Sequence, residues 1–216
     1  MSRLLFRKVG RAKFISHLDL MRTMQRVFIR AGLKIRHTEG FNPHPYMNFA
    51  MPLSVGTESE CELMDFELTE RVDNAEIPAL LNAVSPEGIE AVEVYDSPRK
   101  FKDIKWLDIE ARLFYDSKSR MGDKLRGFYA APSIVIEKKT KRSVAMVDIV
   151  PLIAGLEICD EADGVTWMRA RLAASEPALS PAQLISALTQ HAPELAPDFT
   201  AFKRINVYDK DMVLFR

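Results

Sequence analysis

Between Ser16 and Gly32 the chain has one good conformational option, and the loop beyond it is stiffened by its prolines. Ser16 with Asp19 three residues on reads as an S-x-x-D capping box, which starts a helix at about His17. Ile15 before the cap and Leu20 at the fourth helical position are placed for a hydrophobic staple. Leu18, Met21, Met24 or Gln25, Phe28 and Ala31 recur at three-to-four spacing and predict the apolar face. Gly32 suits the C′ position, so the helix ends near Ala31. Then comes Gly40-Phe41-Asn42-Pro43-His44-Pro45. Its prolines fix φ and push Asn42 out of the helical region. A stiff loop results, with Phe41 and His44 projecting and Asn42 offering an amide.

The charge pattern singles out the same stretch. Residues 1–50 hold ten Lys/Arg against two acids, a surplus of +8, whereas residues 51–100 hold three against twelve, a surplus of −9. The whole chain is neutral, so it is not a general polyanion binder. Two readings are open. Either the molecule has a basic and an acidic face with different partners, or the two segments pair across a sheet. Arg22, Arg26 and Arg30, at i, i+4 and i+8, form a guanidinium stripe with no acid four residues away. A solvated face is one account of it and an anion-binding face the other.

The succession FxSHLDLMR (from Phe14), RAGL (from Arg30) and GFNPHPxMxFAxPLxVG (Gly40 to Gly56), followed by an acidic strand, resembles the radical-SAM-linked family (DUF2344). The match covers most of the first hundred residues and extends only loosely into the second half of the chain. Family members stand alone or form the C-terminal region of larger radical SAM proteins. The resemblance therefore implies a radical SAM protein as partner, and no particular reaction.

The order of elements predicts an α+β fold. Strand Arg3–Val9, the helix, strand Tyr46–Met51, strand Glu60–Glu70 with a bulge at Met64-Asp65, helix Asn74–Val84 capped by Asp73, and strand Ile89–Tyr95 give βαββαβ, a ferredoxin-like unit over 1–97. Residues 98–103, polar and unpatterned, read as a linker. From 104 to 216 the order recurs as strand Ile104–Tyr115, a helix marked by Met121, Leu125 and Phe128, strands Glu157–Asp160 and Val165–Leu172 about an Asp163-Gly164 turn, a helix from Ser180-Pro181 to Gln190, and strand Phe199–Tyr208. An extra hairpin, Ile134–Glu137 with Val144–Ile149, carries a basic tip of Lys138, Lys139, Lys141 and Arg142. Two tandem ferredoxin-like units are expected, the second divergent with that hairpin added. Trp106 and Trp167 read as core residues.

Cys61 and Cys159 are single thiols, with no CxxC and no secretory signal, which fits a reducing cytoplasm. Without CxxxCxxC the chain cannot build a radical SAM iron–sulfur site by itself. No run of about 18 apolar residues occurs, so no membrane association is expected. His17, His37 and His44 invite metal or acid–base proposals, but no HxH, HxxE or third ligand stands at diagnostic spacing, so no metal and no cofactor are expected.

The reading these features favour is a non-catalytic adaptor that binds RNA or presents a substrate to a radical SAM enzyme. Arg22, Arg26, Arg30 and the basic hairpin tip would contact RNA. His17, Phe41, Asn42 and His44 would form a ligand loop. The alternatives are an RNA-processing enzyme using His17 and His44 as acid and base, and a protein-interaction module docking through the acidic 58–76 segment.

Overall fold

The computed structural model describes residues 1–116, 120–139 and 144–216, with the side chain of residue 139 outside the description. The fold is mixed α+β, mostly antiparallel sheet with few helices. The chain divides into two compact units, residues 1–101 together with Arg216, and residues 102–215.

In the first unit the strands are β1 (Ser2–Lys8), β2 (Met47–Phe49), β3 (Thr57–Phe66) and β4 (Ile89–Asp96), and the helices α1 (His17–Arg30) and α2 (Ile77–Asn82). β1 pairs with β3 and β4, and β2 pairs with β3, all antiparallel. The spatial order is thus β4-β1-β3-β2. Leu4 and Phe6 from β1, Met64 and Phe66 from β3, and Ile89, Ala91 and Val94 from β4 bury one sheet face under the helices. α1 contributes Leu20, Met24, Val27 and Phe28, and Phe28 meets Phe66 edge-on at 5.0 Å between ring centroids. Each large side chain so buried stabilises by about 1.5–3 kcal/mol. Asn82, at the end of α2, holds β4 by bracketing Ala91: its amide donates to the carbonyl at 2.8 Å and accepts from the N–H at 2.7 Å.

Several boundaries differ from expectation. Met24 and Phe28 of α1 are buried as expected, but Leu20 and Val27 complete the stripe and Leu18 is 54% exposed, because the core takes the neighbouring positions at those turns. The register shift between β1 and β3 falls between Phe6/Glu62 and Lys8/Ser59, so the bulge is at Glu60-Cys61 and not Met64-Asp65. α2 starts at Ile77 because Asp73 closes a turn instead, accepting from Ala75 N–H at 3.0 Å while Pro78 sits in the first turn of the helix. The start of the expected linker, up to Phe101, packs on β1: Arg3 donates to the Arg99 carbonyl and lies over the Phe101 ring.

Gly88 enters β4 with φ +85°, and a Cβ there would lie 2.3 Å from the Val9 carbonyl oxygen and 2.9 Å from Ala12 Cβ. Gly88→Ala is therefore expected to cost about 2 kcal/mol, from φ strain and overpacking together. A urea midpoint equal to that of the parent would refute it.

The second unit comprises β5 (Trp106–Phe114), α3 (Gly122–Tyr129), β6 (Val135–Lys139), β7 (Val144–Asp148), β8 (Ile153–Ala162), β9 (Val165–Ala173), α4 (Pro181–His191) and β10 (Phe199–Tyr208). Its strands run β10-β5-β9-β8, each neighbouring pair antiparallel, with β6-β7 as a separate hairpin. Leu107, Ile109, Ala111 and Leu113 of β5 are buried with Thr166, Met168, Ala170 and Leu172 of β9, the period-two pattern of a sheet covered on one face. Trp106 and Trp167 fall on the other face and are half-buried, not core. α4 carries a full capping box from Ser180 and Gln183 with Pro181 in the first turn. β8 begins at Ile153, earlier than the sequence implied, after a single helical turn at Val150–Leu152. Among the described residues no helix is long and apolar enough to cross a membrane.

Candidate functional site

The charge segregation resolves largely into pairs. Arg3 meets Asp65 at 2.7 Å, Arg7 meets Glu60 at 2.9 Å, Lys13 meets Glu58 at 3.3 Å, Lys34 meets Glu70 at 2.9 Å and Arg36 meets Glu67 at 3.3 Å. The basic segment and the acidic strand region thus neutralise each other along β1, β3 and the chain leading from them. Glu70 is held below the usual carboxylate range by its hydrogen bond and charge contact with Lys34.

The helix α1 escapes most of this pairing. Arg22, Arg26 and Arg30 are all exposed on it. Arg22 is not unpartnered as the i±4 spacing implied, since Asp19 approaches to 3.5 Å from three residues back. Arg26 and Arg30 have no carboxylate among the described residues. Ser16 caps the helix by accepting from Asp19 N–H at 3.1 Å, and its hydroxyl donates to the Asp19 carboxylate at 2.7 Å. Gly32, at φ +75°, ends the helix as expected.

Beyond it the chain does not form a featureless loop. Residues 36–46 make a small hairpin: Tyr46 N–H donates to the Arg36 carbonyl at 2.8 Å, Thr38 N–H to the His44 carbonyl at 2.8 Å, and His44 N–H to Thr38 Oγ1 at 2.9 Å. Its base is stitched to β3's continuation by Arg36 N–H to the Glu67 carbonyl at 2.8 Å and by Glu67 N–H to the Tyr46 carbonyl at 3.3 Å. The Arg36 guanidinium lies over the Tyr46 ring at 5.3 Å. At the tip Phe41 is fully exposed, and Asn42 and His44 are exposed beside it.

His17 does not join them. It is half-buried at the start of α1, edge-on to Phe49 at 5.5 Å, and Phe49 is edge-on to Phe6 at 6.3 Å. No hydrogen bond or ring contact among the described residues links His17 to Phe41, Asn42 or His44. The expected ligand loop is therefore a projecting hairpin tip plus a separate histidine at the edge of the core. Among the described residues no three His, Cys, Asp or Glu side chains gather in a metal-binding arrangement.

Between the hairpin and the C-terminal half of α1 lies a groove of about 590 Å³, floored by Ile29, Leu33, Ile35 and Pro45 and edged by Gln25 and His37. Sequence reasoning does not find this groove. One signal is present in the helix: Ile29, 74% exposed, is an apolar residue outside the buried stripe.

In the basic hairpin of the second unit, Lys138 Nζ donates to the Ala178 carbonyl at 3.0 Å. Lys139 ends β6 opposite Val144, and Lys141 and Arg142 lie outside the described residues.

The family described as "Uncharacterized protein conserved in bacteria (DUF2344)" matches residues 2–181. No curated protein matches the chain. A chain in a solved structure described as "Crystal Structure of a Cbf5-Nop10-Gar1 Complex" superposes with a TM-score of 0.50 at 9% identity, over 95% of the present chain and 48% of that one. The present chain thus spans about half the length of that neighbour, and at such identity the likeness concerns the fold alone.

Proposed function

We propose, from the premise that the chain belongs to the DUF2344 family, that it is a non-catalytic adaptor which binds single-stranded RNA along α1 and works beside a radical SAM enzyme. The observation that carries the RNA reading is selective neutralisation. At least six of the ten cations of the first fifty residues have carboxylate partners, while Arg26 and Arg30, one helical turn apart, stand exposed without one among the described residues. Guanidinium groups spaced in this way suit successive phosphates. The radical SAM link rests on the sequence resemblance described above. On the strand orders β4-β1-β3-β2 and β10-β5-β9-β8 we read each unit as a ferredoxin-like module, whose rigid sheet holds α1 and the hairpin in place.

Replacing Arg22, Arg26 and Arg30 together by Gln is expected to weaken binding of a single-stranded oligoribonucleotide at least tenfold at low salt. The slope of log affinity against log salt should flatten by about 0.7 for each phosphate the variant no longer neutralises. Equal affinity and slope in parent and variant would refute the assignment. Co-purification with a radical SAM protein tests the partner separately.

A further inference from the structure

We infer that the groove beside α1 is a base-binding subsite, taking one unstacked base of a single-stranded nucleic acid whose phosphates lie on Arg26 and Arg30. This rests on the RNA reading above and sharpens it. A groove of about 590 Å³ falls within the range of small-ligand sites. Its composition is that of a nucleobase in negative. The floor of Ile29, Leu33, Ile35 and Pro45 is apolar, as the face of a base requires, and the polar groups stand at the edge.

Two of those groups are available. Gln25 is half-buried at the groove and its amide has no partner among the described residues, so it offers both a donor and an acceptor. His37 Nδ1 lies 3.0 Å from the Ile35 carbonyl, which can only accept, so Nδ1 donates there and Nε2 is left for a ligand. Lys34, also at the groove, is engaged with Glu70 at 2.9 Å and supplies no free charge.

Charge complementarity selects the occupant. At about 100° per residue, Arg26 lies about 60° around α1 from Ile29, so the free cations flank the apolar floor on one side only. A strand with its base in the groove would run its backbone along that flank. Phe41, fully exposed at the hairpin tip, gives a neighbouring base a ring to stack on. An acidic peptide would satisfy the arginines but would leave the edge groups Gln25 and His37 without a defined role.

The test compares three probes: decauridylate, decaadenylate and inorganic polyphosphate of similar length, which carries the charge without bases. Two variants are used, Gln25→Ala and Ile29→Ala, both at positions outside the buried core, with thermal melts to confirm that they fold. We expect each to weaken at least one oligonucleotide by about five- to tenfold, the order of one base contact, and to leave polyphosphate binding unchanged. Arg26→Gln should weaken all three probes. If the groove variants bind oligonucleotide and polyphosphate just as the parent does, the subsite is refuted while the arginine reading survives. If the parent binds none of the probes, the RNA reading itself fails and the subsite with it. If polyglutamate binds the parent more tightly than either oligonucleotide, and the groove variants lose it, the groove is a peptide site and the inference is overturned.

Discussion

Asp65→Ala is expected to lower the unfolding free energy by about 3–5 kcal/mol, because it takes the two-pronged carboxylate away from a buried guanidinium. Arg3 is 1% exposed in the middle of the first unit's sheet. Its Nε donates to Asp65 Oδ1 at 2.7 Å and its Nη2 to Oδ2 at 3.1 Å, the two-pronged geometry that makes arginine–carboxylate pairs strong. Nη1 donates to Ser97 Oγ at 3.0 Å, Nη2 to the Arg99 carbonyl at 2.7 Å, and the Phe101 ring lies 4.5 Å from the guanidinium carbon. These neutral contacts satisfy donors but do not balance the charge. Against a total stability of about 5–15 kcal/mol for an ordinary domain, the loss is a large fraction. Removing both charges, as Arg3→Met with Asp65→Leu, should cost less than Asp65→Ala alone, since no buried guanidinium then remains to be desolvated. Urea titration with an unchanged m-value measures both. A single-variant loss below about 1 kcal/mol, the range of an exposed pair, would show that the site is wetter than its burial implies.

What was legible in the sequence was local, and what was not was tertiary. Ser16, Gly32 and Ser180-Pro181 mark helix ends through bonds and dihedrals that need no neighbours, and the helices start and stop there. Phe199–Tyr208 likewise emerges as a strand with the expected bounds. Asp73 misled because an aspartate closes a turn with the same side-chain bond that it uses to cap a helix. Leu18 misled because two apolar frames overlap on α1, and only the partner surface of Met64 and Phe66 decides which is buried. The bulge was misplaced because Cys61, Glu62, Leu63 and Met64 are buried in succession, which hides the period-two signal. The charge pattern was visible, but its resolution into pairs depends on which strands become neighbours. The groove was invisible for the same reason: Ile29 and Pro45 lie far apart in the chain and meet only after the hairpin folds back. The expected site residues and the groove share one stretch of chain, but the shape of the groove was not legible in it.

The second large effect lies in the other unit and shows itself through pH. Asp108 on β5 is 2% exposed. Arg171, its cross-strand neighbour on β9, donates to both carboxylate oxygens at 2.7 and 3.0 Å, Arg169 donates at 3.2 Å, and the Tyr208 hydroxyl donates at 3.0 Å. Arg171 also lies over the Tyr208 ring at 4.3 Å, so one carboxylate organises three strands. Burial alone would push this carboxyl up. The hydrogen bonds from Arg171, Tyr208 and Arg169, with the Arg171 charge, outweigh burial and hold it below the ordinary aspartate value. A group whose folded pKa is depressed stabilises fully above its unfolded value, about 3.9, and loses that contribution as pH falls through the folded value. The cluster's contribution should therefore be constant from neutral pH down to about 5 and decline below about 4. Asp108→Asn is expected to cost about 2–3 kcal/mol at pH 7, toward the low end for a broken buried pair because both arginines keep about a third of their side chains in water. Tyr208→Phe, which removes one donor to a charged acceptor, should cost about 1.5 kcal/mol. Other carboxylates share the acid window, Asp148 and Asp160 among them, so the informative quantity is the difference between parent and Asp108→Asn at each pH. That difference should shrink steadily below about pH 4, because the parent loses there what the variant never had. A difference that stays constant down to about pH 2 would mean that Asp108 takes up its proton at the same pH folded and unfolded, and would refute its depression by the three donors.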